Sequence, residues 1–288
     1  MRNSTPALSF LGTATLLVAA SVVAAALAGD GASAQESDVT YDVTIENLTD
    51  GQPMTPPLIV AHTSDLDLWE MGEAASTEIQ EIAENGNLDP AVTLVGASDE
   101  VYSSVVGDAP LLPGESVTLT LEAPAGAKLS WVSMLICTND GFTGLDSVDL
   151  PDTGSETFDT NAYDAGTEMN TEDFADIVPP CQALVGVSSD DEGTGTTNPA
   201  LAEGGTIGAH AGIQGGTDLT TEDHGWTDPV AMVTVTAQTS ATPGSMPSTG
   251  GAATDGGASS WTWVIGLAGL ALVLTSGAAI AVGRRRIS

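Results

Sequence analysis

Basic residues are almost absent from this chain. Its 288 residues include 39 Asp plus Glu against 5 Lys plus Arg, a formal charge of −34. The only lysine is Lys128, and three of the four arginines are Arg284, Arg285 and Arg286 at the C-terminus. Nucleic-acid binding needs a basic footprint, so this scarcity argues against it. A carboxylate surface with so little lysine suits a high-salt medium, where self-repulsion is screened, and points to a halophilic microbe. Catalytic signatures are missing too. There is no G-x-S-x-G elbow, no glycine-rich phosphate loop and no Cys/His pair in a nucleophile's setting. Paired carboxylates of the glycosidase kind carry no information where acids are everywhere. No internal repeat is present.

Both ends read as segments outside the fold. Arg2 opens a run, Ala7 to Ala28, that is apolar or small, and Ala32-Ser33-Ala34 matches an A-x-A cleavage site. Residues 1–34 are therefore expected to be a signal peptide, an uncleaved membrane helix being the alternative. Residues 239–260 form a Thr/Ser/Gly/Pro linker. Residues 261–282 are apolar and uncharged, long enough to span a bilayer core of about 30 Å, with Trp261 and Trp263 at the outer edge. Residues 283–288, with the three arginines, are the expected cytoplasmic tail. Within the linker, Met246, Pro247, Ser248, Thr249 and Gly250 resemble the L-P-x-T-G sorting signal of sortase substrates, with Met in place of Leu. That resemblance implies a transpeptidase that cuts after Thr249; a plain linker is the alternative. Either way the domain is expected at the outer cell surface, held by membrane or envelope.

Between these ends lie about 200 residues, enough for one domain with a core. Tyr41 to Glu46 alternates apolar and polar residues, as a half-buried strand does. Leu58–His62, Ala91–Val95, Glu100–Val106, Ser116–Glu122 and Lys128–Ile136 are further strand candidates, and Thr206–Ile213 and Val230–Thr236 close the set. Glu73 to Asn85 spaces Ala75, Ile79, Ile82 and Ala83 as one amphipathic helix. Asp190–Gly205 is a polar surface loop. Asn47-Leu48-Thr49 is a glycosylation triplet. Many short strands with one short helix imply an all-β sandwich.

Two acidic clusters dominate the second half: C-T-N-D-G-F-T-G-L-D-S-V-D-L, from Cys137, and Y-D-A-G-T-E, from Tyr163. Asp140 follows an apolar strand, on a loop beside a rigid scaffold. Asp164 and Glu168 flank a glycine, so a tight turn directs both to one spot. Three converging carboxylates repel unless a cation lies between them, and a hard, oxygen-seeking ion such as Ca²⁺ fits. Asp146 and Asp149 are secondary candidates, with an exposed strand face as the plainer reading. Cys137 and Cys181 are expected to form one disulfide in an exported protein, two buried thiols being the alternative. His62, His210 and His224 show no metal-ligand spacing. The first two are expected to be hydrogen-bonded core residues and His224 to be solvated.

The combination N-L-T-x-G-Q-P, A-x-T-E-I-Q-E-I-A-E-N-G, L-S-W-V-S-M-L-I-x-T-N-D-G-F-T-G, Y-D-A-G-T-E and D-P-V-A-M-V-T-V-T resembles the spondin-N domain family, over about Tyr41 to Thr236. The resemblance implies a C2-like antiparallel β-sandwich spanning residues 39–238, with a calcium site whose ligands here are Asp140, Asp164 and Glu168. Glu168 stands where animal members carry Asp. The implied function is a surface-displayed calcium-binding module for adhesion or ligand binding, not an enzyme. The competing readings are a calcium-dependent hydrolase of envelope polymers and a structural envelope component.

Overall fold

The computed structural model describes residues 38–238. Val39–Asn47 (β1) buries Tyr41, Val43 and Ile45 and leaves the alternate residues half-exposed, so one face of the strand is a core face. It lies between Ser116–Ala123 (β4) and Ala231–Gln238 (β10), with Gly154–Thr160 (β7) beyond β10. All three pairings in this four-stranded sheet are antiparallel. The second sheet has six strands in the order Val101–Val106 (β3), Leu58–His62 (β2), Lys128–Met134 (β5), Gly141–Asp149 (β6), Ala162–Asp164 (β8) and Gly208–Ala209 (β9), again antiparallel throughout. The architecture is mostly β, with two packed sheets, as expected for an all-β sandwich.

The core is double. Tyr41, Val43, Ile45, Leu121, Val233 and Val235 from the first sheet meet Ile59, Ala61, Leu129 and Trp131 from the second. The alternate residues of the second sheet, Leu58, Val60, Val132 and Met134, face away and are covered by a second cluster. Thr77–Asn85 (α1) supplies Ile79, Ile82 and Ala83 to it, and Asp89–Ala97 (α2) supplies Ala91 and Val95. A third layer therefore covers the outer face of the six-stranded sheet, which is why every residue of β2 is buried. Each large side chain withdrawn from water there contributes about 1.5–3 kcal/mol.

Among the described residues, the one short helix expected within the domain is corrected to three, α1, α2 and Pro180–Val185 (α3), with a 3-10 turn at Phe174–Asp176. Ala91–Val95 is not a strand. Asp89-Pro90 starts a helix there, because proline's fixed φ suits a first turn, and Ala91 and Val95 are buried one turn apart while Val92 and Leu94 face solvent. The expected strand at Thr206–Ile213 shrinks to β9. The acidic stretches, in contrast, form strand: most of the first is β6, and β7 follows from Gly154.

Asn47 is no glycan acceptor in this fold. It is fully buried; its Nδ2 donates to the carbonyls of Gln52 (2.8 Å) and Leu111 (3.0 Å), and its Oδ1 accepts from the backbone N–H and hydroxyl of Thr49. Among the described residues no helix is long and apolar enough to cross a membrane. The expected signal peptide, linker, sorting motif, membrane segment and basic tail fall outside the described residues.

Candidate functional site

The site forms where β5 hands over to β6. Thr138 closes the turn: its hydroxyl donates to Leu135 O (2.6 Å) and accepts from Gly141 N (2.8 Å). A Cβ on Gly141 would lie 2.4 Å from that hydroxyl, so the turn requires glycine. This geometry draws Asp140 inside, where it is fully buried. Gly141 pairs with Asp164 at the end of β8, and the backbone N–H of Ala165 donates to Asp140 O at 3.1 Å, which sets the two acidic motifs side by side.

The Y-D-A-G-T-E turn then wraps the Asp140 carboxylate. Asp140 Oδ2 accepts from Thr167 N (2.8 Å), Thr167 Oγ1 (3.2 Å) and Glu168 N (3.0 Å). Gly166 makes this possible. Its φ is +68°, and a Cβ there would lie 2.7 Å from the Thr206 backbone. Asp164 Oδ1 accepts from Gly166 N, and its Oδ2 accepts from Asn170 Nδ2. Of these three acids, Asp140 and Glu168 each bury a carboxylate oxygen without a partner, Oδ1 and Oε1 respectively.

Electrostatics follow from that burial. Desolvation and the nearby Asp164 push the Asp140 carboxyl up to about 6, against the pull of its three donors. Glu168 is pushed up to about 7, first by burial and then by Glu84, with a backbone N–H from Asn198 opposing and with Asp140 and Asp176 adding repulsion. No Lys or Arg side chain among the described residues answers these charges. Among the described residues the one Lys or Arg is Lys128, at the far end of β5, and it is paired with Asp149 at 2.6 Å. The donor set of oxygens alone, with two of them orphaned, suits a hard divalent ion.

The three expected ligands are neighbours but not a closed triad. Among the described residues, the acidic group whose ligand atoms all lie within 4.8 Å of one another is Asp173, Asp191 and Asp218. Nothing in their sequence spacing foretells it, since they come from three separate loops. Two of the three have structural duties: Asp173 accepts from Ala175 N, and Asp218 accepts from Phe174 N. Asp146 is also engaged elsewhere, receiving Leu68 N at 2.9 Å, and Asp149 holds Lys128.

A disulfide joins Cys137 to Cys181, with Cα atoms 5.1 Å apart, and pins the Asp140 turn to α3. Gln52 clamps the same turn. Its Oε1 accepts from Cys137 N, while its Nε2 donates to Cys137 O and His224 O. The histidines divide. His62 is a hydrogen-bonded core residue, bridging Thr63 O and Ser130 Oγ. His210 is also buried and packs on Trp226. His224, expected in solvent, is 2% exposed, because the T-E-D-H-G-W turn folds back to let its Nδ1 accept from Thr220 N and its ring lie against Phe174. Burial holds both His210 and His224 below the usual histidine range. Two cavities of about 310 and 320 Å³ are lined, respectively, by residues around Pro179 and around Trp69, and neither includes Asp140, Asp164 or Glu168.

Residues 53–175 match the Spondin_N family model, a stretch that holds all three carboxylates. The chain is 30% identical over 117 residues to Spondin-2 of Rattus norvegicus and, equally, to Spondin-2 of Homo sapiens. The alignment takes in 38% of this chain in each case. It spans only about a third of the relatives' own length, 36% of the rat protein and 35% of the human one.

Proposed function

We propose, from the premise that residues 53–175 carry a spondin-N domain, that the protein is an exported, surface-displayed binding or adhesion module without catalytic activity. Its fold is read as a C2-like sandwich, with Ca²⁺ at the loop end built by Asp140, Asp164 and Glu168. One observation carries the calcium reading. Asp140 Oδ1 and Glu168 Oε1 are buried, unpartnered and beyond reach of the one described cation. A buried carboxylate left so is costly unless protonated or paired with a cation. Bound Ca²⁺ would supply that positive charge. The chain's own part is to hold the oxygens ready: Gly141 and Gly166 shape the turns, the Thr167 and Glu168 N–H groups orient Asp140, and the Cys137–Cys181 bond restrains the loop before an ion arrives.

Export is supported by the disulfide, which suits an oxidising compartment, and by the leader-like residues 1–34. The apolar residues 261–282, or the M-P-S-T-G motif through a sortase-type enzyme, would keep the domain at the surface. The absence of Asp140, Asp164 and Glu168 from both cavities favours binding over hydrolysis. The test is calorimetric Ca²⁺ titration of the full-length chain in high KCl with Mg²⁺ present, beside Asp164→Ala. High salt and Mg²⁺ suppress diffuse binding to so anionic a surface. One saturable site that disappears in the variant is expected. No site in the parent chain, or equal binding by the variant, refutes the calcium reading.

A further inference from the structure

Glu84 is a third buried acid beside this site, contributed by a different element. It lies two residues before the left-handed Gly86 that ends α1, and it is 4% exposed. Gln80 Nε2 donates to its Oε1 at 2.8 Å, which fixes the carboxylate; its Oε2 is buried with no partner. Glu81, one turn earlier in α1, is satisfied: its Oε2 receives amide donors from both Asn85 and Asn87.

The local environment is hostile to an isolated anion. A helix C-terminus carries partial negative charge, and α1 has no basic residue in its last turn. One loop runs past both acids. Asn85 Nδ2, next in sequence to Glu84, donates to Thr197 Oγ1 at 3.2 Å, and the adjoining Asn198 turns its backbone N–H toward Glu168 and donates its Nδ2 to Asp176 at 3.4 Å. Glu84 is accordingly the strongest charge acting on Glu168. Three unpartnered carboxylate oxygens, on Glu84, Asp140 and Glu168, are thus buried around one loop junction with no basic side chain to answer them.

We propose that Glu84 is a further direct ligand of the divalent ion, its free Oε2 joining Asp140 and Glu168 so that the ion staples helix α1 to the two acidic loops. This rests on the calcium reading above. These oxygens do not share the mutual 4.8 Å spacing of a preformed triad. Ion binding therefore draws the end of α1 toward the Y-D-A-G-T-E turn, within the 2.3–2.6 Å reach that Ca²⁺–oxygen bonds require, to about that length.

The experiment uses the full-length chain in high KCl with Mg²⁺ present. CaCl₂ is titrated into the parent chain, Glu84→Gln and Asp164→Ala, and Tb³⁺ luminescence lifetimes count the waters on the bound ion. Glu84→Gln keeps the shape and an acceptor for Gln80 but removes the charge. It is expected to weaken Ca²⁺ at least tenfold and to add one or more waters to Tb³⁺. Glu84→Asp, with the charge kept but withdrawn by one methylene, is expected to do the same, and it stands in if the glutamine variant does not fold. Parent-like affinity in these variants overturns the proposal, as does weaker binding with an unchanged water count, which would make Glu84 a distant charge rather than a ligand. If the parent chain itself binds no Ca²⁺, the calcium reading fails; if binding is lost in Asp164→Ala and intact in Glu84→Gln, only the role of Glu84 fails.

Discussion

In the metal-free protein, stability should fall as pH rises, and Asp140 contributes a definable share of the effect. The carboxyl is fully buried, and its folded-state value stands at about 6 against an ordinary 3.8. Below pH 3.8 folded and unfolded forms are both protonated there, so the group is silent. Between 3.8 and 6 the folded form keeps a proton that the unfolded form has released, and each increment of pH favours unfolding. Above 6 both are ionised and the full penalty persists. At about 1.4 kcal/mol per tenfold change in proton affinity, the rise is worth about 3 kcal/mol. For a domain of this size that is a shift of about 6–12 °C in melting temperature. The assay is urea or thermal unfolding in chelator, from pH 4 to 7.5 at fixed ionic strength, of the parent chain and Asp140→Asn. General repulsion among the many surface acids acts on both, so the difference between them reports Asp140 together with its repulsion on Glu168. The parent chain is expected to lose about 2–3 kcal/mol more than the variant over that range, and saturating Ca²⁺ should reverse that loss in the parent chain alone. Parallel pH curves for the two proteins in chelator would refute the argument that the Asp140 charge is uncompensated.

Three further outcomes follow from the fold. Cys181→Ser should cost up to about 4 kcal/mol in urea unfolding, since Cys137–Cys181 spans 44 residues of chain. Asn47→Ala should cost about 1–3 kcal/mol, because the Gln52 and Leu111 carbonyls each lose one of two donors and the Thr49 backbone N–H loses its acceptor, and intact-mass analysis of the parent chain should find Asn47 free of glycan. Gly144→Ala should destabilise by about 2 kcal/mol or more, because the new Cβ would sit 2.3 Å from Trp131 O and must push β6 off β5; parent-like melting would contradict that strand pairing.

The strands that can be read from sequence are those with one wet face. In β1, β4 and β10 the alternation of V-T-Y-D-V-T-I, V-T-L-T-L and A-M-V-T-V-T states which side is buried. Ala91–Val95 defeats that rule because V-T-L-V suits a strand as composition, while the preceding Asp-Pro is a helix start that counts for more. β7, G-S-E-T-F-D-T, is hidden for the opposite reason. It is an edge strand with both faces largely wet, and its burial shows little apolar signal. His224 reads as solvated because polar neighbours say nothing about a turn that folds inward onto Phe174.

The candidate site divides along the same line. Asp140, Asp164 and Glu168 are legible because short-range chemistry brings them together: a turn closed by Thr138, a glycine at +68° and a strand pairing between Gly141 and Asp164. Glu84 is not legible. At about 100° per residue it stands off the Ile79–Ile82–Ala83 stripe, and helical periodicity assigns it to solvent. It is buried at the end of α1, where the neighbouring Asn85 meets Thr197 of a distant loop whose small polar residues predict only exposure. The missing signal is negative charge without an answer. Placing a glutamate at the negative end of a helix, beside another buried acid and with no basic residue in reach, lowers stability unless something positive belongs there. In a chain with 39 acidic residues that clue is diluted at the level of composition. It becomes specific only when burial without a partner separates Glu84, Asp140 and Glu168 from the many acids that keep their water and from Glu172, which is buried but receives backbone donors.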